Sequence, residues 1–279
     1  MTARLLEGRT ALVTGGSQGI GLGCARRLLE HGARVTIVAR TIAKLEEATQ
    51  RLRAEIPGAR IDFRQCDVMV EADVAAAVAA AADENGHLDV AVSNAGSAAP
   101  GPILLLTADD WNFACQMNIT AHAFAIKHAG LAMKARGGSI VTISSIAGFM
   151  VEKWLATYST TKAAVEMLTQ CAALELAPFQ IRVNCIRPGY VPTPGTELGF
   201  SEALKQRSLA DTPLGRPGRP EDIGDAVVFL SSDLSRWLTG QVFGVDGGMG
   251  VKLNEDFEDL ARLMYGNEVI DDCLGLKRK

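Results

Sequence analysis

Seven short runs of apolar and β-branched residues recur along the chain: Thr10 to Val13, Arg34 to Ala39, Arg60 to Arg64, Leu88 to Ser93, Ser139 to Ile143, Ile181 to Ile186 and Gln241 to Val245. Helical patterns separate nearly all of them. Alternation of this kind predicts an α/β architecture, a doubly wound parallel sheet with helices on both faces. Thr41 and Thr107 are suited to start helices, Gly32 and Gly137 to end them, and Pro57-Gly58 stops the second. Ala75 to Ala82 reads as an ordinary helix, because Ala is the best helix former. No polar linker divides the chain, so residues 1–250 read as one domain and 251–279 as an extension.

The first run leads into Thr14-Gly15-Gly16-Ser17-Gln18-Gly19-Ile20-Gly21, and an amphipathic run begins near Ile20. This is a strand, a glycine turn and a helix start. Gly15 supplies the angles of a tight turn, Gly19 lets the main chain approach a ligand, and Gly21 permits close packing of helix on strand. The helix start presents free N–H groups to an anion, and a pyrophosphate is the natural guest. Out of context the same cluster is a flexible turn. The second run ends in Ala39-Arg40, with no acid before Glu46. A carboxylate near that point bonds an adenosine ribose, whereas an arginine attracts a 2′-phosphate, which favours NADP over NAD. A solvated strand-end arginine with no ligand is the alternative.

Composition narrows the classes. With 279 residues, 48% hydrophobic and 22% charged, the chain can bury a substantial core. A net charge of -4 without a long basic run argues against nucleic acid as a partner. The six cysteines form no C-x-x-C pair and read as reduced, mostly buried thiols, and the four histidines lack metal-ligand spacing and read as surface or helix-packing residues. No metal site is expected. Without a run of 18 apolar residues or a hydrophobic leader in Met1 to Glu7, the expectation is a cytoplasmic protein with no membrane contact.

Tyr158 and Lys162, four apart at the start of a helical run, share one face, an arrangement that is structural on most helices. The run Ile140 to Ser144 changes its meaning, because it delivers Ser145 to the carboxyl end of the sheet, where ligands of such folds bind. Hydride transfer between a nicotinamide and a carbonyl carbon needs a proton at the carbonyl oxygen, and a phenol can supply it. An adjacent ammonium favours the phenolate, so Lys162 is expected to lower the pKa of Tyr158.

Taken in order, Thr14-Gly15-x-x-x-Gly19-x-Gly21, Asp67-Val68, Ser93-Asn94-Ala95-Gly96, Asn118, Ser145, Tyr158-x-x-x-Lys162 and Pro188-Gly189 resemble the short-chain dehydrogenase/reductase family over roughly Gly8 to Gly248. The chain looks like the single-domain members that include β-ketoacyl carrier-protein reductases and many alcohol dehydrogenases. The resemblance implies a Rossmann-type sheet of about seven strands and an oxidoreductase that interconverts a carbonyl and a secondary alcohol on a small-molecule substrate with NADP(H), NAD being possible. It places Gly15, Ser17, Gln18, Gly19, Ile20, Gly21 and Arg40 around the adenosine and phosphates, and Asp67 and Val68 beside the adenine. Asn94, Ala95 and Gly96 lie beneath the adjoining ribose, and Pro188, Gly189, Val191 and Thr193 at the nicotinamide. It makes Ser145 a hydrogen-bond donor to the substrate oxygen and has Lys162 hold the nicotinamide ribose beside Tyr158. Asn118 would hold a water linking Lys162 to solvent, although an interior Asn bonding a neighbouring backbone fits the residue by itself. Gln18 and Ser93 depart from the pattern, which often has a basic residue and an Asn there. An NAD-dependent alcohol dehydrogenase of the same family and a non-catalytic nucleotide sensor are the rival readings.

Phe149, Met150, Trp154 and the segment Gly195 to Leu209 flank the expected cleft, the last as a mobile lid by resemblance. Apolar residues on more than one face of Thr107 to Arg136 and Trp154 to Ala177 predict a homo-oligomer, dimer or tetramer. In the extension, Asn254 is a good N-cap, Gly266 a helix end, and Phe257, Leu260, Leu263 and Met264 form one apolar stripe, predicting a short docked helix.

Overall fold

The computed structural model describes residues 4–97, 99–197, 199–251 and 257–275. All seven runs are strands: β1 (Thr10–Thr14), β2 (Arg34–Ala39), β3 (Arg60–Gln65), β4 (Val90–Ser93), β5 (Gly138–Ile143), β6 (Ile181–Pro188) and β7 (Val242–Val245). Between and after them lie α1 (Gly19–Glu30), α2 (Ile42–Glu55), α3 (Glu71–Ala81), α4 (Ala108–Cys115), α5 (Ala121–Met133), α6 (Ala156–Leu176), α7 (Pro194–Glu197), α8 (Glu202–Ala210), α9 (Pro220–Ser231), α10 (Glu258–Tyr265) and α11 (Asn267–Cys273). The strands make one parallel sheet in the order β3-β2-β1-β4-β5-β6-β7. The chain winds outward from β1 to β3, returns to lay β4 beside β1, and winds outward the other way. The reversal opens a crevice at the carboxyl ends of β1 and β4, where Thr14 and Ser93 stand.

Alternate strand residues fill two cores. Val13, Val35, Ile37 and Ile186 pack with Cys24 and Leu28 of α1 and Ile223 and Val227 of α9 on one face. Leu12, Val38, Ile140 and Val183 pack with Val74 and Val78 of α3 and Met133 of α5 on the other. Successive side chains of β1 thus enter opposite layers, as the pleat requires. Thr107 starts α4 with a capping box, its Oγ1 accepting from Asp110 N. Thr41 precedes α2 without a side-chain cap. The helical segment Thr107 to Arg136 is built from α4 and α5 joined by a π-helical turn, Gln116–Thr120, which contains Asn118. Periodicity does not reveal such an insertion.

The extension differs from expectation. Gly266, at φ 85°, ends α10 and a second helix follows, fastened to the first by Arg262, which bonds both Glu258 and Asp271. Phe257, Leu260, Leu263 and Met264 are exposed on this single chain, which leaves docking on a neighbouring subunit open as an expectation; Asn254 lies outside the described residues. Of the six thiols, three are buried, Cys24, Cys66 and Cys185. Among the described residues no helix is long and apolar enough to cross a membrane.

One close approach sets the position of α1. A Cβ on Gly23 would lie 2.4 Å from Pro220, the first residue of α9. Gly23→Ala should therefore cost about 1–2 kcal/mol net, overpacking outweighing the helix-propensity gain. Urea unfolding measures it, and a wild-type midpoint would show that α9 can move aside.

Candidate active site

The crevice is tied together through Thr14. Its Oγ1 accepts from the backbone N–H groups of Asn94 at 2.9 Å and Ala95 at 3.1 Å, and its carbonyl accepts from Asn94 Nδ2 at 3.0 Å. These bonds fix the two loops at the point where the winding reverses. Gly15 turns with φ 65°, and a Cβ on Gly21 would lie 2.3 Å from the Gly15 carbonyl oxygen, so only glycine allows the turn and the helix to close together. Gln18 caps α1 without a side-chain bond, leaving the first N–H groups of the helix facing the crevice. Ser17 and Ile20 are partly exposed beside them.

Arg40 is exposed just beyond β2, and its guanidinium makes no hydrogen bond or ion pair among the described residues. Lys44 Nζ, one helical turn on, donates to Gln18 Oε1 at 3.3 Å. A second cation thus stands beside the glycine turn, which the sequence reading missed. Asp67 organises the loop after β3 by accepting from Met69 N at 3.0 Å, next to the buried Val68. At the far side, Gly189 N donates to Val245 O at 3.2 Å, behind Pro188, and Val191 is buried. Thr193 reaches across, so that a Cβ on Gly19 would lie 3.0 Å from its methyl group. Gly15 and Gly21 meet Asn94, and Gly19 meets Thr193, across this crevice. Glycine turn, open helix start and nearby cations without an acidic partner fit the phosphates of a dinucleotide.

Ser145, Tyr158 and Lys162 meet next to it. Ser145 follows β5, with its Oγ accepting from Ala147 N at 3.1 Å. Tyr158 and Lys162 share the inner face of α6. Lys162 is 2% exposed, and its Nζ donates to Ile143 O at 2.9 Å and lies 5.6 Å from the Tyr158 ring centroid. Asn118, fully buried in the π turn, accepts from Ser97 N at 2.9 Å and donates to Ser97 O at 2.9 Å and Thr161 Oγ1 at 3.1 Å. Thr161 in turn donates to Tyr158 O at 3.0 Å. Asn118 therefore pins the β4 loop to the start of α6. A Cβ on Gly96 would come within 3.0 Å of Lys162 Nζ and 3.2 Å of Asn118 Oδ1.

Burial pushes the Lys162 ammonium down to about 8. Burial also raises the Tyr158 phenol; a hydrogen bond from Ser145 offsets part of this, and the charge of Glu152 adds to it. Burial thus dominates at the phenol, while the Lys162 ammonium is engaged with a carbonyl oxygen; the help expected from Lys162 and an oxidised nicotinamide together remains an expectation.

A layer of polar residues behind the site escaped the sequence reading. Glu166, one turn beyond Lys162, receives two bonds of 2.6 Å from Arg187, which precedes Pro188. Ser144 Oγ lies 3.0 Å from both Glu166 Oε1 and Lys162 O, its single hydrogen shared between the two acceptors. Arg187 also covers the Phe149 ring at 4.5 Å from its centroid. His122 is fully buried, its Nδ1 2.7 Å from Ser93 Oγ, and burial, with Lys162 nearby, holds it neutral. The residue that departs from the family pattern thus has its own partner. Spacing offered one hint: an acid four residues after Lys162 and a base beside Pro188. A cavity of about 570 Å³ adjoins the site, walled by Ile103, Phe149, Met150, Glu152, Trp154 and Ser159. Ser159 points about 100° around α6 from Tyr158, so this cavity flanks the phenol and does not contain it.

The family model described as enoyl-(acyl carrier protein) reductase matches residues 15–250. The chain belongs to the short-chain dehydrogenase/reductase family. It is an oxidoreductase of that family. It is 37% identical over 247 residues to a 3-oxoacyl-acyl-carrier-protein reductase, FabG, of Chlamydia muridarum, covering 88% of this chain and 98% of that one. It is 38% identical over 259 residues to a trans-4-hydroxycyclohexanecarboxylate dehydrogenase of Sinomonas cyclohexanicum, covering 89% and 96%. The solved structure of a short-chain dehydrogenase/reductase from Mycobacterium ulcerans superposes with a TM-score of 0.84 at 37% identity, covering 94% of this chain and 97% of that one. Among the described residues no cluster of His, Cys, Asp or Glu could hold a metal.

The depressed Lys162 value carries a stability consequence. Below about 8 the folded chain holds a buried charge that the unfolded chain solvates; between there and the ordinary value of 10.5 the folded chain sheds the proton first, and above 10.5 both forms are neutral. Lys162→Met should therefore stabilise the fold at pH 7 by about 2 kcal/mol, after the lost bond to Ile143 is counted, with the gain fading between about pH 8 and 10.5. Urea unfolding at pH 7 and pH 10 tests this; an equal effect at both would refute it.

Proposed function

We propose that the protein is a cytoplasmic, NADP(H)-dependent oxidoreductase interconverting a carbonyl and a secondary alcohol, with Ser145, Tyr158 and Lys162 as the proton relay. The observation that carries the reading is the meeting of these three residues at the carboxyl edge of the sheet, beside a crevice suited to a dinucleotide. The bound cofactor supplies or accepts the hydride. Ser145 holds the substrate oxygen and stabilises its developing charge, and Tyr158 gives the proton to that oxygen or takes it back. Lys162, locked against Ile143 O, orients toward the ribose and keeps positive charge next to the phenol. Asn118, through the Ser97 backbone and Thr161, holds Tyr158 and Lys162 in register and binds the water through which Lys162 exchanges protons.

Arg40 and Lys44 support NADP(H) over NAD(H): Arg40 follows β2 at the position where an arginine attracts a 2′-phosphate, its guanidinium makes no hydrogen bond or ion pair among the described residues, and Lys44 adds a second cation beside the glycine turn. Asp67 and Val68 bind the adenine, Asn94, Ala95 and Gly96 the adjoining ribose, and Pro188, Gly189, Val191 and Thr193 the nicotinamide. The free, scattered thiols suit a reducing compartment. Phe113, Met167 and Leu174, exposed on α4 and α6, support a homo-oligomer, dimer or tetramer. Residues 1–250 form the catalytic domain and the rest an appendage.

Tyr158→Phe keeps the ring and removes the proton. It should lower kcat for carbonyl reduction by about three orders of magnitude, with cofactor affinity little changed. More than about a tenth of wild-type kcat would exclude Tyr158 as the principal acid, and wild-type kcat throughout would point to other chemistry. Arg40→Asp should reverse the cofactor order, weakening NADPH about tenfold or more while NADH gains a partner for its 2′-hydroxyl. Fluorescence titration of both cofactors measures the ratio, and an unmoved ratio would favour an NAD-dependent enzyme.

A further inference from the structure

Glu152 is the acidic side chain of the cavity beside Tyr158, whose other walls are largely apolar. Its carboxylate is partly buried and makes no hydrogen bond or ion pair among the described residues. An unpartnered carboxylate in such a place is costly, and burial raises its pKa. Lys153, in the wall of the same cavity, forms no ion pair with Glu152 and lies over the Trp154 ring, 4.7 Å from its centroid; of the other cations of the site, Lys162 donates to Ile143 O and Arg187 is held by Glu166. Ser159 Oγ, buried in the same cavity wall, also lacks a partner. A buried hydroxyl without a partner and a carboxylate without a protein partner thus share one cavity.

The loop that carries Glu152 is fixed. Trp154 adopts φ 74°, a conformation strained for a large side chain, and its carbonyl accepts from Gly101 N at 2.8 Å. Strain of this kind persists where surrounding structure imposes it, and it clusters at ligand sites. The cavity that Glu152 lines is also walled by Ser159, the neighbour of Tyr158, so a molecule whose carbonyl meets the phenol can extend toward the acid.

We propose that Glu152 determines substrate choice, selecting carbonyl or alcohol substrates that carry a cationic amine beyond the reacting carbon and rejecting those that carry a carboxylate there. The inference rests on the carbonyl–alcohol reading above. An ammonium would supply the missing partner and cancel a negative charge that opposes the phenolate, whereas a carboxylate would place like charges together in a partly desolvated cavity.

Three ketones of one shape test it at pH 7: 4-dimethylaminocyclohexanone, 4-methylcyclohexanone and 4-oxocyclohexanecarboxylate. The wild type should prefer the amine to the carboxylate by about tenfold or more in kcat/KM, Glu152→Gln should bring the two within about threefold, and Glu152→Lys should invert the order. The neutral ketone serves as the internal reference, and melting curves confirm that both variants fold. Calorimetric titration of the amine into the cofactor-loaded protein gives a reading independent of turnover, with binding about tenfold weaker in Glu152→Gln. Turnover whose charge preference Glu152→Gln leaves unmoved overturns this inference and spares the carbonyl–alcohol reading. Glu152-dependent binding without turnover of any ketone does the reverse, and the absence of both overturns both.

Discussion

A lysine ammonium held almost out of water is the constraint around which this site is arranged. Lys162 is 2% exposed, and its one charged donor group is met by the Ile143 carbonyl at 2.9 Å. A buried charge is tolerated only where the groups around it are fixed, and the neighbours of Lys162 are fixed from four directions. Gly96 leaves room for Nζ, Asn118 joins the β4 loop to Thr161, and Ser144 and the Glu166–Arg187 pair brace the next turn of α6. Loosening any of these would let the ammonium withdraw toward solvent and leave the phenol without its neighbour. The depressed value of about 8 records how much that arrangement costs the fold.

The parts legible in the sequence are those made by backbone. All seven strands stand where their apolar runs predicted, because a strand covered on both faces needs such residues whatever the ligand. The glycines of the first turn were legible because steric exclusion is absolute: a Cβ on Gly21 would sit 2.3 Å from a carbonyl oxygen, and no repacking relieves that. Tyr158, Lys162 and Ser145 came together as spacing and strand direction implied. What stayed hidden depends on side chains distant in sequence. Nothing in Ser97 or Thr161 announces a bond to Asn118, and no periodicity signals the π turn that aims Asn118 inward. The histidines looked like surface or packing residues, yet His122 is buried against Ser93, a pairing across 29 positions. For the extension the sequence was legible only in part: an amphipathic stripe shows that a helix wants a partner without saying which, and the second helix after Gly266 had no periodic signal.

The same contrast separates the two halves of the site. The crevice is main chain, helix start and glycine, held by bonds such as those from Asn94 and Ala95 to Thr14, where a Cβ on Gly15 or Gly21 would collide. The adjoining cavity is built from loop side chains: Phe149, Met150, Glu152 and Trp154 on one strained turn, facing Ile103. Substitutions there change shape and charge without touching the sheet, so relatives at 37–38% identity can bear names as different as an acyl-carrier-protein reductase and a hydroxycyclohexanecarboxylate dehydrogenase on one scaffold. Family membership therefore fixes the fold and the class of chemistry far more tightly than the walls of the cavity. The informative position there is Glu152, a carboxylate with no hydrogen bond or ion pair among the described residues. Its charge makes the Tyr158 phenolate harder to form, and a fold gains nothing from that charge unless something bound beside it supplies the opposite one.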